Sequence, residues 1–354
     1  MENITSKERV QIALSHKEPD RVPVSADFVP EVAAALEKRL GIDDYYEMSV
    51  SLGNDMLDTI VGIATSFYRE PDENGEYVCQ WGNSWKYFAN NFGSYTEVVK
   101  HALANDTDGS LLAAYQIPDP LEDSQYDKLR EIIKKYGETH FICGSLACSI
   151  FEASWYTAGL VNVLERMAFD PAYTNALFDK MMEFPLKAGP KMIDLGVDMI
   201  WLGDDVGMQH RMMMSPDTWR EYLKPRMAKL ISTFKNYKPE VKVAYHSCGF
   251  IKPIIPDLIE IGLDVLNPIQ PMAMDPAEIK KEFGDKLSFW GSICIQNTLP
   301  NGSALDIQNE VKLRMETIGK GGGLILGPAH NVQPDTSVDN ILTFYEAAKE
   351  FGRY

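Results

Sequence analysis

Positive charge is scarce in this chain: 34 lysines and arginines stand against 51 aspartates and glutamates in 354 residues, a formal net charge of −17. Nucleic acid and anionic membrane surfaces are therefore not expected as partners, because holding phosphates requires clustered basic side chains. Cysteine is also sparse. Cys79, Cys143, Cys148, Cys248 and Cys294 are an odd number without a dense framework, which excludes a disulfide scaffold and predicts reduced thiols. No apolar run approaches the length of a bilayer span. The residues after Met1 include Glu2, Lys7 and Glu8 where a secretory signal needs an apolar core, so a cytoplasmic location is expected. The glycine-rich stretch at 319–323 lacks the following Lys-Ser or Lys-Thr pair of a phosphate loop and precedes an apolar run, which marks a turn.

What is present suits a large globular core, with 45% hydrophobic and 24% charged residues. The length allows two ordinary domains or one α/β barrel. Thr5 and Glu8 form a capping-box pattern, which predicts a helix from Ser6 to about His16. Val22–Ala26 is expected as a first strand despite Pro23. The aromatic and β-branched texture from Tyr68 to Ala104, broken by Asn74-Gly75, Gly82 and Gly93, predicts β-hairpins, an insertion at about 66–105 that covers one mouth of the fold. From His140 onward, short apolar runs alternate with longer helical stretches, the pattern of βα units. The runs are Phe141–Leu146, Asp198–Leu202, Val241–Tyr245, Asp264–Leu266, Leu287–Gly291 and Gly323–Leu326. With Val22–Ala26 and Met56–Ile60 they bring the strands to about eight, enough for a TIM barrel. Asp170-Pro171, Ser215-Pro216 and Asp275-Pro276 each pair an N-cap residue with proline at the first helical position. The expected fold is one domain over 1–354, an α/β TIM (β/α)8 barrel with an N-terminal helix and a β-hairpin insertion.

His246 and Cys248 follow an apolar run and, one residue apart in extended chain, project to the same side. His330 follows a later run and is the best supplier of a third ligand. Three protein ligands with an open fourth position are the arrangement of a catalytic zinc. Asp27, Glu152, Asp204, Asp205, Asn267, Gln270, Cys294 and Gln296 also fall at or just past proposed strand ends, the face that carries active sites in such barrels. Asp204 and Asp205 offer a general acid and a substrate or ligand anchor, with one of them alternatively capping the following turn. Met208, Met212, Met213 and Met214, with Trp155, Tyr156 and Phe250, form either an adaptable apolar pocket or ordinary core.

Five segments together resemble the uroporphyrinogen decarboxylase superfamily: Leu202-Gly203-Asp204-Asp205-Val206-Gly207-Met208-Gln209, Ser215-Pro216 through Trp219-Arg220, His246-Ser247-Cys248-Gly249, Asn267-Pro268-Ile269-Gln270-Pro271, and Pro328-Ala329-His330-Asn331-Val332-Gln333-Pro334-Asp335. The resemblance is to its corrinoid-linked methyltransferase branch. The porphyrinogen decarboxylases carry an Arg-Gln-Ala-Gly-Arg segment that grips substrate carboxylates, whereas Ser25-Ala26-Asp27-Phe28-Val29-Pro30 stands here, so that decarboxylation is not expected.

The resemblance implies a zinc-containing TIM barrel that moves a methyl group between a small molecule and the cobalt of a corrinoid (cobalamin) held by a partner protein. Two directions are implied: demethylation of a methyl donor such as a methoxylated aromatic, and methylation of a thiol of the coenzyme M type. Its zinc ligands carry over onto His246 and Cys248. The thiol-methylating pattern has cysteine where this chain has His330, and one thiolate with two imidazoles leaves zinc at net +1, which favours an ether oxygen. Cys294 is the alternative ligand, and Glu152 or Asp205 a displaceable fourth. Asp205, Asp204 and Glu152 are the catalytic candidates. Asp27, Trp155, Tyr156, Asn267 and Gln270 are candidates for substrate contact, and Met208, Gln209, Met212 and Phe250 for the rim that meets the corrinoid protein. A non-catalytic binding or regulatory barrel is the reading of another class, and a homodimer is left open.

Overall fold

The computed structural model describes residues 4–354. After strand β1 (Met56–Ile60), β2 (Glu76–Val78), β3 (Ser84–Ala89) and β4 (Ser94–Lys100) form a separate antiparallel sheet, the hairpin insertion expected at about 66–105. The remaining strands are β5 (Phe141–Ala147), β6 (Met199–Gly203), β7 (Lys242–His246), β8 (Val265–Asn267), β9 (Ser288–Ile293) and β10 (Leu324–Pro328). With β1 they make a curled, seven-stranded, all-parallel sheet in the order β1-β5-β6-β7-β8-β9-β10. This is an α/β fold consistent with a TIM-like barrel.

The strands are apolar on both faces because both are covered. Ile142, Ile200, Val243 and Leu266 pack toward the helices, while Met56, Phe141, Cys143, Met199, Trp201, Ala244, Val265, Trp290 and Ile325 form an inner cluster. Val10 and Leu14 of helix α1 (Ser6–Leu14) join that inner cluster and stopper the N-terminal end. Thr5 and Glu8 make the reciprocal capping box, and α1 ends two residues before His16. The three proline-preceded caps hold as well: Asp170, Ser215 and Asp275 accept backbone N–H bonds from Tyr173, Thr218 and Ala277 at the starts of their helices. Among the described residues no helix is long and apolar enough to cross a membrane.

Val22–Ala26 is not a strand. Val24 makes one isolated parallel bridge to Leu326, with Leu326 N–H donating to Pro23 O at 2.8 Å and Ser25 N–H to Leu326 O at 3.0 Å. On its other side a single backbone bond, Asp55 N–H to Val24 O at 2.7 Å, is supplemented by side chains. Val24 N–H donates to Asp55 Oδ2 at 2.9 Å, and Ala26 exchanges two hydrogen bonds with the Asn54 amide at 3.1 and 2.9 Å. Pro23 has no N–H to donate, and the Asn54-Asp55 pair has taken the positions a neighbouring backbone would fill.

Candidate metal centre

β7 delivers His246 at its last residue, in ladder register with Gly203 of β6 and Asn267 of β8. The chain then turns through Ser247 to Cys248, whose N–H donates to Asp205 Oδ1 at 2.7 Å. Gly249 follows with φ +79°, packed so closely on the loop after β6 that an added Cβ would lie 2.6 Å from the Met208 carbonyl oxygen. Only glycine fits there. His330 arrives from the loop after β10. One ligand atom from each of His246, Cys248 and His330 lies within 4.8 Å of the others.

The donor set suits a thiophilic divalent ion, and the surroundings prepare it. His246 Nδ1 is 2.6 Å from Asn267 Oδ1, and Asn267 donates its amide to the Trp290 carbonyl at 3.1 Å. The amide oxygen therefore selects the Nδ1–H tautomer and leaves the Nε2 lone pair facing Cys248 Sγ, 3.6 Å away. Asp205 Oδ1 stands 3.5 Å from the same Nε2 and is placed for a displaceable oxygen ligand. Burial, with Asp205 and Glu152 nearby, pushes the Cys248 thiol well above its ordinary value, so its thiolate requires a cation. His330 keeps solvent contact at the rim, yet enough protein surrounds its ring that desolvation, helped by His246, pushes its imidazole down. Neutral imidazole is the ligating form.

The cluster opens onto a cavity of about 690 Å³. Four predicted residues besides His246 and His330 line it: Asp27, Glu152, Tyr156 and Asp205. Glu152 is pushed well up by burial first and then by Asp205 and Asp204, which keeps its proton. Trp85 and Thr96 of the insertion complete the wall. Phe67, Trp85 and Tyr156 pack with ring centroids 5.2–5.5 Å apart.

Other candidates fall elsewhere. Asp204 is the capping member of its pair: fully buried, it accepts N–H bonds from Ile150 and Glu152 at 3.0 and 2.9 Å and does not line the cavity. Asn267 and Gln270 are braces rather than cavity groups. Gln270 accepts the Gly249 N–H at 2.8 Å and donates to Gln296, which bonds Gln209. Trp155 packs on Tyr156 with centroids 3.8 Å apart and does not reach the cavity. Met208, Met212 and Phe250 line a different, shallow depression of about 570 Å³, with Gln209 beside them. Cys294 is outside the cluster. It lines another cavity, with Glu310 and Arg314, and its N–H donates to Glu310 Oε1 at 3.1 Å. Gly291 and Ser292 take φ of +111° and +88° at the end of β9, which breaks strand alternation and turns Cys294 away.

Sequence reasoning missed Asp58, Tyr45, Tyr46, Cys148 and Trp201, all lining the cavity. Asp58 had a signal, an acidic residue inside the apolar run Met56–Ile60.

A methyltransferase from Methanosarcina mazei superposes with a TM-score of 0.71 at 20% identity, covering 99% of both chains, which shows the shared fold. The methylcobamide:CoM methyltransferase MtaA of Methanosarcina barkeri is 27% identical over 245 residues, 68% of this chain and 66% of that protein. A uroporphyrinogen decarboxylase of a Synechocystis strain is 24% identical over 192 residues, 53% and 51% of the two chains. The chain thus spans between half and two thirds of these curated relatives' length. The family model for uroporphyrinogen decarboxylase (URO-D) matches residues 99–351, most of the sheet and every element of the metal cluster, and the chain belongs to that family.

Proposed function

We propose that this protein is a zinc-dependent methyltransferase that moves a methyl group from a small methyl ether, a methoxylated aromatic, to the reduced cobalt of a corrinoid carried by a partner protein. The observation that carries the reading is the convergence of His246, Cys248 and His330 on one point at the edge of an aromatic-walled cavity. The relative named as a methylcobamide:CoM methyltransferase supports the reaction class. Within this reading Val22–Ala26 acts as the eighth, irregular stave of a (β/α)8 barrel.

Bound by one thiolate and two imidazoles, zinc would supply a Lewis acid of net charge +1 for a departing oxygen. The corrinoid would supply the electron pair that bonds the methyl carbon, while the ether oxygen would leave with the pair of the broken methyl–oxygen bond and take up a proton. Glu152 is a proton-bearing carboxyl facing the cavity, Asp205 orients the Cys248 loop, and Trp85 and Tyr156 hold the aromatic ring. In-line transfer requires the corrin to approach from the cavity's open side, and the separate depression lined by Met208, Met212 and Phe250 offers the partner protein an apolar surface.

Zinc-loaded protein should hold close to one equivalent, and Cys248→Ala should lose most of it along with transfer activity. With reduced corrinoid and a methoxylated aromatic, the protein should yield methylated corrinoid and a phenol. Full zinc retention in Cys248→Ala, or methylation of a thiol as the sole activity, overturns the reading.

A further inference from the structure

Four carboxyl groups, Asp27, Asp58, Glu152 and Asp205, line the cavity beside the metal cluster, and among the described residues no lysine or arginine does. We infer that the molecule bound there is uncharged or cationic at the end away from the reacting methyl group, a phenol or an amine whose hydrogen-bond donor meets Asp27 and Asp58, and that carboxylate- and sulfonate-bearing molecules are rejected. This deepens the methyl-transfer reading and rests on it for the reacting end only.

The walls of the cavity differ in what they offer. At the metal end stands Trp201, with its ring 5.4 Å from that of His246. Trp201 is 9% exposed and lines the cavity, and its buried Nε1–H has no partner. A buried donor without an acceptor costs stability unless a ligand supplies one, and an ether oxygen is such an acceptor. On another part of the wall the Asp27 and Asp58 carboxyls neighbour each other, with Tyr45 beside them. Two carboxyls in contact hold one proton between them and keep one negative charge. That charge has no basic side chain against it in the cavity. A hydroxyl or ammonium donor satisfies it, and an anion meets repulsion instead. One like charge at about 6 Å, in an effective dielectric near 20, lowers affinity roughly a hundred-fold. Tyr156, backed by the buried Trp85, gives the cavity an aromatic wall that suits an aromatic ring or a cation.

Four ligands with the same methyl ether and different far groups test this: 4-methoxyphenol, 4-methoxybenzylamine, 4-methoxybenzoate and 4-methoxybenzenesulfonate. Quenching of tryptophan fluorescence gives each Kd, with and without zinc. The phenol and the amine should bind at least about ten-fold tighter than either anion in both forms. In the double variant Asp27→Asn with Asp58→Asn, which removes both carboxyls, the gap should narrow to within about three-fold, mainly because the anions gain affinity. Tighter binding of the amine assigns the natural end group as ammonium, and tighter binding of the phenol assigns a hydroxyl; both uphold the inference. Anions that bind as tightly as the phenol overturn it, as does failure of all four to bind. The wild-type ranking decides even if the double variant does not fold. Methyl transfer from the same ligands separates the two readings. The predicted ranking without transfer sinks only the methyl-transfer reading, and equal transfer from phenol and benzoate sinks only the charge selectivity.

Discussion

Asp55 and Asp58 lie three residues apart, one just before β1 and one within it, and their surroundings are opposite. Asp55 is fully buried and saturated: Arg9 reaches it at 2.8 Å and Arg21 at 2.7 Å, and the Ser6 hydroxyl and Val24 N–H donate to it as well. It ties α1, the 22–26 segment and β1 into one N-terminal assembly. Asp58 faces the cavity, and its neighbour is another carboxyl, Asp27. In this fold, charge is neutralised where it holds elements together and left unneutralised where a ligand enters. The strand ends divide in the way expected of TIM-like proteins, with stability at one face and chemistry at the other.

The comparison breaks most visibly at Asp55. Asp55→Asn removes the anion between two guanidinium groups and leaves Arg9, itself buried, without full compensation. The expected loss is about 3–5 kcal/mol, a fall in Tm of roughly 5 °C. Zinc content of the folded protein should not change. Thermal melts beside metal analysis check this, and a variant as stable as wild type would mean that the N-terminal cluster does not hold the fold.

A smaller effect is expected at the metal face, through Asn267. Asn267→Ala leaves the strand in place and removes the acceptor that fixes His246, so zinc affinity should fall about 10- to 100-fold with only a modest change in Tm. Competition against a chelating dye measures it. Asn267→Asp should recover part of the loss, because a carboxylate accepts the same Nδ1–H. Unchanged affinity in the alanine variant would show that packing against Trp201 alone sets the ring.

The features that a local pattern encodes were legible in the sequence, and those that depend on distant segments were not. His246 and Cys248 were readable because alternation survives to the end of β7, and the proline-preceded caps because each is complete within four residues. Cys294 misled for the converse reason, since two positive-φ residues end the alternation that pointed it inward. Nothing local told Asp204 from Asp205. Only the return of the Ile150–Glu152 backbone onto Asp204 assigns it the cap and leaves Asp205 for the cavity. The expected strand at Val22–Ala26 failed on Pro23 and on side chains at 54 and 55 that no periodicity reveals. Asp27 was legible as a strand-end carboxyl, but Tyr45, Asp58 and Trp85 beside it were hidden because they come from segments before the regular βα alternation begins.

The finest test of the contrast between the two aspartates is the pH dependence of stability in Asp58→Asn. Burial first, and then repulsion from Asp27, raises the Asp58 carboxyl well above its ordinary 3.8. The folded protein therefore holds a proton that the unfolded chain has released, and stability falls as pH rises from about 4 toward the raised value. Asparagine has no such proton to lose. Between pH 5 and pH 8, measured by denaturant unfolding, wild type should lose more stability than Asp58→Asn. Asp204, pushed up to about 7 by burial, adds a slope of the same sign to both proteins and cancels in the difference. Parallel curves would mean that Asp58 is compensated in the free protein, and the distinction between a saturated and an expectant carboxyl would fall with it.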